Sequence, residues 1–185
     1  TAGYFGGWLD WSISRLRDLM LAFPALLFSI ALLVIFQNVG QIGPLSGPSL
    51  TITALILIIG GFGWAYPARI LRGQVISLRE KEFVEAARSL GAKNGRVLFK
   101  ELLPNLVAPI LVYTTLIIPT NILAEAALSF LGVGIQPPAS SWGKMLSQAI
   151  PTAQVNPFYV IVPGMAIFIA VLAFNLFGDG LRDAF

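Results

Sequence analysis

The sequence predicts an all-α integral membrane protein, and three observations carry that reading. Charged residues make up only 11% of the chain and hydrophobic ones 56%, whereas a soluble domain carries about 25% charge. Charge is absent from Leu19–Ala68, Leu102–Ala124 and Met145–Gly178, intervals long enough for crossings of roughly 20 residues each. Much of the remaining charge gathers in one island, Ser77–Asn105, whose apolar residues fall at helical rather than random spacing.

Four crossings are expected in order. Leu19–Phe36 is the first, and Leu50–Tyr66 the second. Between them Gln37–Ser49 is polar, uncharged and punctuated by Gly40, Gly43, Pro44, Gly47 and Pro48, which reads as a tight loop. Pro104–Leu123 is the third crossing and Phe158–Phe177 the fourth. The segment 67–103 then forms one water-side loop and 124–157 another on the opposite side. Leu128–Gly134 is apolar but too short to cross, which suggests a re-entrant or interfacial element. Trp8, Trp11, Trp64, Tyr66, Phe158 and Tyr159 sit near span ends, where amphipathic rings favour the interface. Pro24, Pro109, Pro119 and Pro163 fall inside the apolar runs, consistent either with ordinary kinked packing or with kinks that shape a pathway.

The net charge of +3 matters through its placement. Arg15 and Arg17 precede the first crossing, and Gln37–Ser49 has no basic residue. The segment 67–103 carries Arg69, Arg72, Arg79, Lys81, Arg88, Lys93, Arg96 and Lys100. Only Lys144 lies in 124–157, and Arg182 follows the last crossing. This alternation, read by the positive-inside rule, puts the N-terminal segment, the island and the C-terminus on the cytoplasmic side.

Within the island, Ser77-Leu78-Arg79-Glu80 matches a capping box and predicts a helix start near Ser77. Phe83, Ala86, Ala87 and Leu90 share one helical face. Lys81 and Glu85 are spaced to pair, worth only about 0.2–0.5 kcal/mol. Gly91 suits the left-handed position that ends a helix. Asn94 can cap a second helix running to Leu103, with Pro104 opening the third crossing. The small Ala86 and Ala87, with Glu85 beside them, would admit a partner closely; an amphipathic helix resting on lipid headgroups is the plainer reading.

Glu85-Ala86-Ala87, Gly91 and Leu103-Pro104 together resemble the cytoplasmic EAA loop in permease subunits of bacterial ABC importers. The likeness is closest to the C-type subunit of the dipeptide/oligopeptide/nickel permease family. It is carried by Gly3-Tyr4-Phe5-Gly6-Gly7-Trp8, Ala22-Phe23-Pro24, Glu85 to Asn105, Ala124-Glu125-Ala126-Ala127-Leu128-Ser129-Phe130-Leu131-Gly132, Ser141-Trp142-Gly143 and Gly178-Asp179-Gly180-Leu181-Arg182-Asp183. Glu101 departs from the His or apolar residue common there. The family has six spans, and Thr1–Gly7 matches the tail of the second, so the resemblance implies a segment of a longer polypeptide.

The resemblance implies a type I importer-like transmembrane domain whose EAA helix couples to a cytoplasmic ATPase, with Glu85, Ala86, Ala87 and Gly91 as docking residues. It further implies a second permease subunit, two ATPase subunits that hold ATP and Mg, an external substrate-binding protein, and residence in the inner membrane of a prokaryote. No catalytic residue, metal site, cofactor or nucleic-acid partner is expected in the chain itself. Glu125 is read either as a locally hydrogen-bonded carboxylate or as a gate, and Trp142 as an outer-face contact. Tyr113, Thr114, Thr115, Thr120 and Asn121 suit either a route or helix–helix bonding. The Walker A pattern is absent, since Gly143-Lys144 is followed by Met145. The chain has no cysteine and no histidine, which excludes disulfides, thiol nucleophiles, imidazole bases and the common zinc sites. The rival reading is a channel or ion-coupled carrier working alone; a membrane enzyme has still less chemistry to draw on.

Overall fold

The computed structural model describes residues 2–184. Among them α-helices dominate, joined by short turns and one two-stranded hairpin. A four-residue helix, α1 (Ala2–Phe5), leads into α2 (Gly7–Ala22) and then α3 (Ala25–Val39). The expected first crossing, Leu19–Phe36, is therefore not one helix: α2 and α3 meet at 85°. Pro24 causes the break. It has no N–H to donate and disfavours helical geometry in the residue before it; Phe23 accordingly takes the extended φ −84°, ψ 137°.

The loop after α3 closes as a hairpin, with β1 (Gln41–Ile42) antiparallel to β2 (Leu45–Ser46). Next come α4 (Gly47–Gly63) and α5 (Ala65–Leu78), one apolar helical body of 32 residues that turns at Trp64. Ser46 and Ser49 form a reciprocal cap at its start. This helix runs straight through Ser77, so the helix start expected there is not found. The new start comes at Lys81, which adopts extended geometry (φ −82°, ψ 149°) and opens α6 (Glu82–Ser89). A capping box needs its serine outside the helix, and here Ser77 is already inside the preceding one.

The expected third crossing also begins earlier. A short helix α7 (Asn94–Arg96) passes through a π-helical stretch, Val97–Leu102, into α8 (Leu103–Phe130). The whole is a continuous apolar helix of 37 residues. Pro104 does not interrupt it. A proline ring collides with the carbonyl four residues back in an ideal α-helix, and the wider π turn before Pro104 makes room. Asn105 donates its side-chain amide to the Glu101 carbonyl at 2.7 Å, and Glu101 itself is half-buried. At the far end, Leu128–Phe130 is the last turn of α8 rather than a re-entrant element. Helix α9 (Trp142–Ala149), capped by Ser141, and α10 (Phe158–Ala184) complete the fold.

Two apolar clusters hold the helices together. One joins Tyr4, Val75, Val84, Val97, Leu102 and Leu106 beneath α6; the other joins Leu33, Ala54, Leu55, Ile58 and Leu128. Helix α10 lies along α8, and Gly178 permits it: a Cβ there would stand 2.9 Å from Thr115 Oγ1. Elsewhere the helices turn apolar side chains outward. Val162, Phe168 and Leu176 of α10 are 58%, 57% and 63% exposed. In water such a surface would be costly; in hydrocarbon it is the expected one.

Candidate docking surface

Helix α6 is nearly detached, touching the rest of the chain along one edge. Val84 is fully buried and Ala87 half-buried, while Phe83, Ala86 and Leu90 face outward, Leu90 at 89% exposure. Glu82, Glu85 and Ser89 are exposed beside them. The result is a narrow apolar stripe of small and large side chains rimmed by carboxylates. Sequence spacing placed Phe83, Ala86, Ala87 and Leu90 on one face; the structure shows that this face points away from the protein, with Ala87 at its inner margin.

Two devices fix the helix in this pose. Its C-terminal end is locked by a complete Schellman motif. Gly91 N–H donates to Arg88 O at 2.9 Å, Ala92 N–H donates to Ala87 O at 3.0 Å, and Gly91 has φ +81°. Its underside is clamped by Tyr4. The Tyr4 hydroxyl donates to Asn94 Oδ1 at 2.9 Å, and the Arg88 guanidinium sits 5.2 Å from the ring centroid. One buried ring thus grips the helix on one side of the Gly91 turn and the next helix on the other. Arg79 holds the same segment by donating to Gly3 O at 3.2 Å, and Arg72 grips Asp10 through two 2.6 Å bonds. The Lys81–Glu85 pair allowed by spacing is not among the ion pairs of the described residues, which are Arg17–Asp18, Arg72–Asp10 and Arg79–Glu80.

The clamp predicts a graded response. Tyr4→Phe removes one part-buried hydrogen bond, worth about 0.5–1.5 kcal/mol. Tyr4→Ala also removes the ring, and large-to-small changes at aromatic core sites cost about 3–5 kcal/mol. Limited trypsin digestion should cut at Arg88 and Lys93 at least about tenfold faster in Tyr4→Ala than in Tyr4→Phe. Equal rates would mean the ring does not hold the island.

Val84, Tyr4, Asn94 and Val97 were not expected as site residues. Val84 is a lone aliphatic inside a charged stretch, and Tyr4 lies far away in sequence, so neither carries a local signal. The only hint was the aromatic Gly-Tyr-Phe-Gly-Gly-Trp segment.

On the opposite end, α8 closes with the same motif as α6. Gly132 has φ +86°, Gly132 N–H donates to Ser129 O at 3.1 Å, and Val133 N–H donates to Leu128 O at 3.1 Å. Glu125 lies one turn before the end and accepts the hydroxyl of fully buried Ser129 at 2.5 Å; Ser129 Oγ in turn accepts Ile135 N–H at 2.9 Å. The carboxylate thus organises the turn. Trp142 is 41% exposed at the first position of α9. Between the two residues, Gly143 lies so close to the Ala126 backbone that any Cβ on it would overlap Ala126. Glu125 and Trp142 therefore flank one tight helix–helix contact.

Long apolar helices with outward-facing apolar side chains define a polytopic membrane protein, from which α6 stands apart. The chain belongs to the family of binding-protein-dependent transport system inner membrane components, whose model matches residues 1–185. It is 48% identical over 186 residues to the dipeptide transport system permease protein DppC of Alkalihalophilus pseudofirmus, covering 99% of this chain and 56% of that relative. It is 41% identical over 181 residues to the glutathione transport system permease protein GsiD of Escherichia coli O6:K15:H31, covering 98% and 56% respectively. It is 41% identical over 183 residues to GsiD of Pectobacterium atrosepticum, covering 99% and 57%. The chain thus spans a little over half the length of these curated relatives.

Proposed function

We propose that this chain is the membrane-embedded part of a permease subunit in an ATP-driven importer of small peptides, and that α6 is where it receives work done by a cytoplasmic ATPase. The observation that carries the reading is the pose of α6: an apolar stripe (Phe83, Ala86, Leu90) held outward, while Val84 and the Gly91 turn anchor it to the helices that cross the membrane. Glu85, Ala86, Ala87 and Gly91 are the docking residues in this scheme. A closing ATPase dimer pushes α6. The push passes through α5 and the helix beginning at Asn94, and the route between the spans alternates between its two openings. ATP and Mg belong to the ATPase subunits.

The dipeptide and glutathione permeases among the relatives support a peptide cargo. The remaining partners are a second permease subunit and an external binding protein, for which Glu125, Trp142 and the α8–α9 contact form the outer face. The basic residues of 67–103 support a cytoplasmic position for that segment, and with it for the N-terminal segment and C-terminus, in a prokaryotic inner membrane.

Affinity purification of the whole protein from membranes tests the reading. The wild type should bring down an ATPase in stoichiometric amount, and Ala86→Arg, which places a long cation on the exposed stripe, should reduce the recovered ATPase at least about tenfold, or about 1.4 kcal/mol of binding. Transport by the purified chain without any ATPase would instead establish a carrier that works alone.

A further inference from the structure

Helix α2 is built inside out. Its side toward α5 is polar: Asp10 and Arg17 keep only 18% and 11% of their side chains exposed. Ser14 lines the same seam with Arg72. Its outer side is apolar and aromatic, with Trp8 76%, Trp11 59%, Leu16 50% and Leu19 60% exposed. A helix in water would place these faces the other way round.

The bend supplies the geometry. Because α2 meets α3 at 85°, α2 must run along the bilayer if α3 crosses it. The inner corner of the bend is a cavity of about 380 Å³ lined by Leu19, Met20, Phe23, Phe28, Leu32 and Phe62 among others. The apolar surface is therefore continuous from the outer side of α2, round the corner, to the side of α3. A corner of this make-up matches acyl chains. Arg15 and Asp18 are exposed at the margin of the apolar sector.

We propose that α2 is an interfacial helix that lies in the plane of the leaflet on the basic side of the membrane, with Trp8, Leu16 and Leu19 in the headgroup–acyl boundary and Asp10, Ser14 and Arg17 turned to α5. Amphipathic helices of this kind bury their apolar face roughly 5–10 Å into that boundary, and tryptophan favours it. The consequence is a foothold. The Arg72–Asp10 pair ties the lipid-lying helix to α5, the element that leads into α6. This rests on the reading of α3 and α4 as crossings.

The test is depth by spin labelling. The 185 residues contain no cysteine; in the whole protein, with any cysteine outside them replaced by serine, Trp8→Cys, Leu16→Cys and Leu19→Cys each carry one nitroxide after reconstitution in phosphatidylethanolamine–phosphatidylglycerol bilayers. Leu57→Cys in the middle of α4 is the reference. Relaxation by oxygen against a nickel chelate reports depth. The expected result is one shallow depth for all three α2 labels, agreeing within about 5 Å, with Leu57 far deeper. A steady deepening of about 1.5 Å per residue from Trp8 to Leu19 would show α2 to be part of a crossing and overturn the proposal. So would high nickel access with low oxygen access, which places α2 in water, or low access to both, which places a protein neighbour on it. A watery Leu57 would instead overturn the crossings on which the proposal rests.

Discussion

Gly91→Pro should abolish ATP-driven uptake, to below about 5% of the wild-type rate, while the protein still inserts and is recovered from membranes. The loss follows from geometry. Gly91 has φ +81°, and proline is locked near φ −65°. Proline also removes the N–H that Gly91 donates to Arg88 O and biases Leu90 away from its near-helical φ −80°, ψ 8°. The Schellman motif fails, and with it the register between α6 and Asn94. These terms together exceed roughly 3 kcal/mol, the usual cost of a misplaced proline. Gly91→Ala is the graded control. It keeps both hydrogen bonds and faces only the left-handed penalty of roughly 1–2 kcal/mol, so uptake should fall partially. Nothing lies within 4 Å of a Cβ at this site, so crowding cannot account for the alanine result. Uptake by Gly91→Pro at the wild-type rate would refute the docking role of the turn.

The second large effect is expected at the opposite end of the fold. Gly143→Ala in α9 should lower the thermal transition by roughly 5–10 °C, corresponding to about 2–3 kcal/mol for a chain of this size. Helix propensity alone argues the other way, since alanine is favoured over glycine by about 1 kcal/mol in a helix interior. The contact decides. A Cβ on Gly143 would overlap the Ala126 backbone, and overpacking costs about 1–3 kcal/mol or more when the neighbour is main chain. The sign of the shift is therefore diagnostic: a rise in the transition temperature would mean that α9 does not pack against α8 in this way. Because Glu125 and Trp142 flank the contact, the variant should also disturb whatever engages the outer face.

The lengths of the apolar runs made three long apolar helices visible, and the glycine after Leu90 announced the turn that ends α6. Boundaries were less legible, for a consistent reason. Ser77 carried a good start signal inside a helix already under way, because the preceding helix continues through Leu78 and its continuity outweighs a local cap. Pro104 looked like a beginning, yet a π turn let the helix pass through it. Pro24 looked like a kink within one span, yet it divides two helices of different orientation. The exposed face of α6 was legible as a spacing of Phe83, Ala86, Ala87 and Leu90, but which side of α6 faced the protein depended on Val84, and its seat on Tyr4. Those contacts join parts of the chain distant in sequence, which periodicity does not report.

The unbroken helix from Asn94 to Phe130 has a mechanical meaning. At about 1.5 Å per residue it is a rod of roughly 55 Å, with the Gly91 turn at one end and the Ser129–Glu125 turn at the other. A tilt of about 10° about the Asn94 end would carry Phe130 through about 10 Å at that rise. In the proposed importer, such a rod would carry a small displacement of α6 to the far side as a movement of peptide width, with no hinge needed between them.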